Sequence, residues 1–142
     1  MKLSSRTRYG IRAAIELAMC YGKGPVPLKV ISKQKEISAK YLEQILNRLR
    51  SSEIIRTSRG PHGGYTLAIP PAEIKLSTLI SMLEGPGEPV ECAKHKKFTK
   101  GCGHCVTRAV FAEAQKRASA LLESLTLQDL LDLAEGTKKD IG

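Results

Sequence analysis

Three cysteines, Cys92, Cys102 and Cys105, fall within fourteen residues, and His95 and His104 stand among them. Thiolates are soft ligands, so three in so short a stretch suit an iron–sulfur cluster or zinc, with imidazole able to complete the set. Lys94, Lys96, Lys97 and Lys100 interleave the same stretch. Their positive charge favours thiolate over thiol and offsets the negative charge of a thiolate-bound cluster. The metal-ligating set read from these residues is Cys92, Cys102 and Cys105 with His104, which is preferred to His95 for the fourth position. The pair Cys102 and Cys105, with two residues between them, also has the spacing of a dithiol that opens and closes as a disulfide. The fourth cysteine, Cys20, falls near an apolar stripe and reads as a small buried hydrophobe.

These ligands need a scaffold, and composition bounds it. With 142 residues and 42% hydrophobic content the chain suits a single domain with an appended element. It contains no run of 18 apolar residues, and its amino terminus is basic without an apolar segment behind it. Neither a membrane span nor a signal peptide is expected, and the expected location is the cytoplasm. There, four cysteines point to metal binding or thiol redox chemistry rather than to a structural disulfide framework. The net charge of +9 is unevenly placed. Residues 1–65 hold 13 Lys and Arg against 4 Asp and Glu, whereas residues 66–142 hold ten against ten. Basic excess confined to one module is the electrostatic footprint of a nucleic-acid binder, because neutralising phosphates releases condensed counterions.

Within that basic module, Leu28 to Tyr65 reads as a short helix, a tight turn, a second helix and a glycine-rich hairpin. This is the pattern of a winged helix-turn-helix. In the second helix Leu42, Ile45, Leu46 and Leu49 recur at i, i+3, i+4 and i+7, which gathers four aliphatic side chains on one face. Ser38 stands where an N-cap belongs. The other face carries Lys40, Tyr41, Glu43, Gln44, Asn47 and Arg48, able to donate to phosphates and to meet base edges in a major groove. In the turn before it, Glu36 is expected at the left-handed position that many such motifs give to glycine. Residues 53–57 and 65–68 read as paired strands, with Ser58 to Gly64 as the wing tip. Its glycines allow close approach to a ligand, and Arg59 could enter a narrow minor groove. No Lys-Ser/Thr pair and no helix follow this loop, which argues against a nucleotide-phosphate loop.

Around this module, Ser4 or Ser5 is expected to cap a first helix with Ile11, Ala14, Ile15, Ala18 and Met19 as its apolar stripe, ended by Gly22 and Gly24. Its early turn carries Arg6, Arg8, Tyr9 and Arg12, either phosphate contacts or a solvated face. Val30 and Ile31 are expected on the buried side of the next helix. Ser77 is expected to cap a helix bearing Leu79, Ile80 and Leu83. From Cys105 onward Val106, Val110, Ala114, Ala118, Leu121 and Leu125 mark a long helix with more apolar face than one small domain needs. It could pair with its twin or pack on the first helix. Thr126 and Asp129 have capping-box spacing for a last helix, which Gly136 is expected to end before a Lys-rich tail.

The segments Leu3–Tyr9 (LSSRTRY), Pro25–Leu28 (PVPL), Ile37–Arg50 (ISAKYLEQILNRLR), Arg59–Leu67 (RGPHGGYTL), Cys105–Phe111 and Leu125–Leu131 resemble the IscR and NsrR type of bacterial transcription regulator, the family also called Rrf. The resemblance implies a homodimeric, non-enzymatic winged-helix regulator, expected to repress, that binds palindromic double-stranded DNA and in many members senses through an iron–sulfur cluster. It assigns Cys92 and Cys105 to the first and third ligand positions. Two departures stand out. Cys102 lies closer to the last cysteine than the family's middle cysteine does, and Arg108 occupies the position of a histidine ligand. The fourth ligand is therefore open between His104, His95, a partner-subunit residue and a small exogenous molecule.

The expected fold is mainly α with a small β-hairpin wing, a winged helix-turn-helix plus a long dimerisation helix. The expected organisation is a DNA-binding domain over 1–85, a cysteine-bearing sensor loop over 86–104, dimerisation and C-terminal helices over 105–136, and a tail over 137–142. The expected DNA-binding residues are Ser38, Lys40, Tyr41, Glu43, Gln44 and Arg48 on the helix and Arg59, Gly60, His62 and Gly63 on the wing. The expected cofactor is a [2Fe–2S] cluster in preference to [4Fe–4S]. The alternatives are a thiol-disulfide switched regulator and a disulfide oxidoreductase using Cys102 and Cys105. The tetrapeptide Cys-Gly-His-Cys matches the latter, but no thioredoxin-like strand precedes it. An oxidoreductase leaves the helix-turn-helix, the basic wing and the one-sided charge without a use, and a purely architectural DNA binder leaves the cysteines without one.

Overall fold

The computed structural model describes residues 3–85 and 106–141. Helix α1 (Ser5–Met19) starts where Ser4 accepts the Thr7 N–H on its hydroxyl oxygen at 3.2 Å. Its buried line is Thr7, Gly10, Ala13, Ala14, Leu17 and Ala18, not the larger residues beside it. Ile11, Ile15 and Met19 are half-buried at the rim of the core. The reason is steric. Small residues let a neighbouring helix approach so closely that a Cβ on Gly10 would stand 2.6 Å from the Leu83 methyls.

Helix α2 (Leu28–Lys35) follows Pro27, which holds extended backbone at the cap position. Ile31 is fully buried, whereas Val30 lies outward and is 38% exposed, contrary to the expectation that both face inward. Glu36 is left-handed at φ 53°, as its place in the turn predicts, and Ile37 behind it donates to the Ser32 carbonyl at 3.1 Å. Ile37 is buried, which seats the turn. Ser38 then caps α3 (Ala39–Ser51) by accepting the Tyr41 N–H at 3.3 Å. Leu42, Ile45, Leu46 and Leu49 have no exposed surface at all.

The end of α3 departs from the strand pattern read over 53–57. Glu53 is left-handed at φ 59°, its N–H bonded to the Arg50 carbonyl at 3.0 Å, while the Ile54 N–H reaches the Leu49 carbonyl at 3.2 Å. These are the two bonds of a Schellman stop, with Glu53 where glycine is usual and buried Ile54 and Leu49 as the accompanying apolar contact. Strand β1 (Ile55–Ser58) therefore begins two residues later and pairs antiparallel with β2 (Gly64–Leu67), Ile55 opposite Leu67. Val26 adds a one-residue third strand by exchanging both backbone bonds with Tyr65 at 2.9 Å.

After a 3-10 turn at Pro71–Glu73, α4 (Leu76–Glu84) buries Leu76, Leu79 and Leu83. Lys75 holds its cap position without a side-chain bond to the helix end, and Ser77 lies inside the first turn instead of capping it. Helices α5 (Val106–Ser124) and α6 (Leu127–Ile141) are separated by a short link that hydrogen-bonds back to α4. There Leu76 donates to the Leu125 carbonyl and Leu127 to the Ile74 carbonyl, both at 2.8 Å. Thr126 and Asp129 form the expected capping box, with the Thr126 N–H on the Asp129 carboxylate at 2.8 Å and the Asp129 N–H on the Thr126 hydroxyl at 3.3 Å. Leu127 and Leu131 close the core. Helix α6 continues through Gly136 to Ile141, so that glycine does not end it. A helix-interior glycine costs only about 1 kcal/mol relative to alanine, which capping and packing upstream can offset.

The apolar positions of α5 do not form one buried stripe. Leu122, and Leu125 just past the helix end, are half-buried on the core, and the helix packs on α4 rather than on α1. Val106, Val110 and Leu121 lie outward, 78%, 61% and 58% exposed, and Phe111 beside them is 51% exposed.

Candidate nucleic-acid interface

Because the inner face of α3 is fully buried, its outer face is held in a fixed orientation. Lys40, Glu43, Gln44, Arg48 and Arg50 are exposed along it, and Ser38 is exposed at its start. Tyr41 differs. It is half-buried, its ring meeting that of Tyr9 edge-on with centroids 6.0 Å apart and planes at 87°. This arrangement suits the aromatic quadrupoles and fixes the first turn of α3 on α1. Tyr41 is therefore in part a strut. The acceptor side of the Ser38 hydroxyl is likewise engaged by the cap.

At the wing, Arg59, Gly60, Pro61 and His62 are exposed, and the Gly63 N–H closes the turn on the Gly60 carbonyl at 3.0 Å. Gly60 at φ 103° needs glycine for its backbone. Gly63 needs it for room, since a Cβ would stand 2.2 Å from the Ser58 carbonyl. The two glycines therefore shape the tip, while Arg59 and His62 carry its chemistry. At the base of the wing, burial pushes the Tyr65 phenol above its ordinary pKa, with the Glu43 carboxylate adding to the shift and Arg50 opposing it. The wing and α3 thus share one electrostatic neighbourhood.

The basic residues of α1 divide into different tasks. Arg6 is not a solvated cation. Its Nε donates to the Leu83 carbonyl at 2.7 Å and its Nη2 to the Glu84 carbonyl at 3.2 Å. Arg12 is exposed with its guanidinium carbon 5.9 Å from the centre of the Tyr9 ring, a cation–π arrangement beside α3. Arg8 is exposed and donates to the Ser5 hydroxyl at 3.3 Å. A further contact that sequence reading missed joins α1 to α2. Glu16, 7% exposed, pairs with Lys35 at 3.0 Å, and the Gln34 amide donates to the same carboxylate. Its signal was only an acidic residue inside an apolar stretch, which periodicity alone leaves unpaired.

The ligand candidates Cys92, His95, Cys102, His104 and Cys105 lie outside the described residues. Cys20 is half-buried against the core, close to the small-hydrophobe role read for it. Among the described residues no cluster of His, Cys, Asp and Glu could hold a metal, and no helix is long and apolar enough to cross a membrane.

Comparison with known proteins agrees with this geometry. The family described as Rrf2, iron-dependent transcriptional regulator, matches residues 3–133. The chain is 35% identical over 135 residues to the HTH-type transcriptional regulator IscR of Sodalis glossinidius, covering 95% of this chain and 81% of that one. Among solved structures it is similar to IscR of T. potens, with 35% identity, a TM-score of 0.77 and coverage of 96% of this chain and 90% of that one. It is also similar to CymR, the global cysteine regulator of B. subtilis, with 34% identity, a TM-score of 0.81 and coverage of 94% and 98%. With a family match across nearly its whole length and relatives of this identity that are transcriptional regulators and not enzymes, the chain belongs to the Rrf2 family of DNA-binding transcriptional regulators.

Proposed function

We propose that the protein is a homodimeric repressor that reads a palindromic operator with α3 and the wing and reports iron, redox or nitrosative status through its cysteine stretch. The observation that carries the reading is the division of α3. A fully buried aliphatic face holds Lys40, Glu43, Gln44 and Arg48 outward as a fixed set, with the base of the wing at Tyr65 beside it. Gln44 suits bidentate contact with adenine, Arg48 and Lys40 suit guanine or phosphate, and Glu43 accepts from cytosine. The exposed side of α5 supports a second copy as partner. Four large apolar side chains on one helix favour burial, and a two-fold pairing would present two recognition helices to a palindrome.

The donor set fits an iron–sulfur cluster by its chemistry. Cys92, Cys102 and Cys105 supply three thiolates in a lysine-rich stretch, His104 is the preferred fourth ligand, and [2Fe–2S] is the preferred form. When bound, such a cluster responds to iron supply, oxidants or nitric oxide. The chain's own contribution is to couple that stretch to the helices that follow Gly85 and begin at Val106. A tenfold change in operator affinity asks for only about 1.4 kcal/mol of preference between two arrangements.

A second reading, a thiol–disulfide switch at Cys102 and Cys105, is favoured by their two-residue separation and by Arg108, which cannot ligate, at the expected histidine position. The similarity to a global cysteine regulator makes cysteine status an alternative signal to iron. Anaerobic purification followed by iron, sulfide and zinc analysis separates the two. Iron and sulfide in equal amounts, lost in the Cys92, Cys102 and Cys105 variants but kept in Cys20→Ser, supports the cluster. Iron-free protein with a reversible Cys102–Cys105 disulfide replaces it with the switch. For the DNA reading, Arg59→Ala is expected to weaken all sites and to lower the salt slope by about one unit. Unchanged affinity and slope would remove the wing from the interface.

A further inference from the structure

The ends of α1 and α4 cap each other. The Arg6 fork satisfies the last carbonyls of α4 at Leu83 and Glu84. In return the Glu84 carboxylate accepts the N–H of Ser4, the residue that caps α1, at 2.8 Å. Each charge sits at the helix end whose dipole it complements, a cation at a C-terminus and an anion at an N-terminus. Between them Leu83 fills the hollow over Gly10, and Thr7, fully buried, receives the Ser4 hydroxyl at 3.3 Å.

Two neighbours give this joint its interest. On one side the chain leaves α4 at Gly85, φ 83°, toward the stretch that carries Cys92, Cys102 and Cys105. On the other side Tyr9, one turn past Arg6 on α1, braces Tyr41 in the first turn of the recognition helix. Residues 4–10 therefore touch both the departure point of the cysteine stretch and the helix that reads DNA. The joint is polar and directional, so a small rotation of the α4 end breaks its bonds rather than stretching them.

We propose that the first two turns of α1 are the intramolecular relay between the cysteine stretch and the recognition helix, with Arg6 as the contact on the sensor side and the Tyr9–Tyr41 brace on the reader side. Neither Arg6 nor Tyr9 needs to touch the ligand or a base; both are positioning residues. The relay rests on the sensing role proposed above. A pathway of contacts becomes a coupling only when its removal uncouples the two ends.

The test measures operator affinity of the full-length protein in two states, anaerobically purified and after stripping with chelator and mild oxidant, for wild type, Arg6→Gln and Tyr9→Leu. Iron content and thermal unfolding are followed in parallel. The expected result is a ratio of at least about tenfold between the two states in wild type. That ratio should fall below about threefold in both variants, with ligand content and cooperative unfolding retained. Tyr9→Phe, which keeps the edge-on ring contact, should restore it. Where Arg6→Gln does not fold, Tyr9→Leu with its phenylalanine control decides the matter alone. Variants that keep the wild-type ratio overturn the relay and leave sensing intact. A wild type with equal affinity in both states removes the sensing reading and the relay with it.

Discussion

The two halves of the chain meet water differently. In residues 3–85 every major aliphatic face is covered within one chain, from Leu17 on α1 through Leu42, Ile45, Leu46 and Leu49 on α3 to Leu79 and Leu83 on α4. On α5 the reverse holds, with Val106, Val110, Phe111 and Leu121 all more than half exposed. Charge divides the same way, since the excess of basic residues lies in residues 1–65 and the remainder is balanced. The basic excess of the first half suits it to a polyanion, and the uncovered apolar side of α5 is the surface proposed above to meet a second copy. The core of the first half is closed by Leu127 and Leu131 of α6, whereas the outward apolar side of α5 is left uncovered by the described chain.

The contrast can be broken or sharpened by substitution, and the largest effect should come from the buried half. Leu46→Ala removes a side chain with no exposed surface, so a loss of about 2–5 kcal/mol in chemical unfolding is expected. A loss under half a kcal/mol, on the order of a neutral surface change, would show that α3 is not anchored as described.

On α5, Val110→Asp should leave the unfolding of the reader intact and act on association instead. Two valines lost from a two-fold interface, each worth about 1.5 kcal/mol or more, should shift sedimentation from dimer to monomer at micromolar concentration. A dimer of unchanged strength would move the interface elsewhere.

Gln44→Ala tests the outer face of the same helix whose inner face Leu46 tests. Specific operator binding should weaken by about 1–3 kcal/mol and its base preference should relax, with thermal stability unchanged. If binding to random DNA falls equally, Gln44 is contacting backbone and not bases.

The smallest effect concerns Glu84. The Ser4 N–H bond holds its carboxyl below the ordinary glutamate pKa, with the Thr7 and Ser4 hydroxyls and Arg6 assisting against the opposing effect of burial. A carboxylate depressed in the folded state contributes stability that is present above its unfolded pKa and lost as pH falls through the folded value. The Glu84→Gln protein should therefore lose less stability than wild type between neutral and acidic pH. Parallel pH profiles for the two would take the carboxylate out of the joint.

Much of the reader was legible because its signals are local. Ser38 as a cap, Glu36 in a left-handed turn, the four aliphatic residues of α3 and the Thr126–Asp129 box each depend on residues within one or two helical turns. The errors arose where a local pattern met a neighbour. Periodicity marks an apolar line on α1 but cannot choose between Ile11, Ile15, Met19 and the smaller line beside it. The approach of Leu83 to Gly10 makes that choice. In the same way Val30 turned outward beside buried Ile31, and the run read as a strand from Glu53 concealed a helix stop.

The sequence by itself determined the basic winged helix-turn-helix and the starts of most helices, because backbone propensity, capping and charge act over short separations. Only the tertiary structure decided that Arg6 is committed to α4, that Tyr41 is braced by Tyr9, that Glu16 is held by Lys35 and that α5 keeps an apolar side uncovered. The first three of those facts join residues up to 78 positions apart. At such separations identity alone carries no distance, and a contact exists only where packing has already brought two helix ends together.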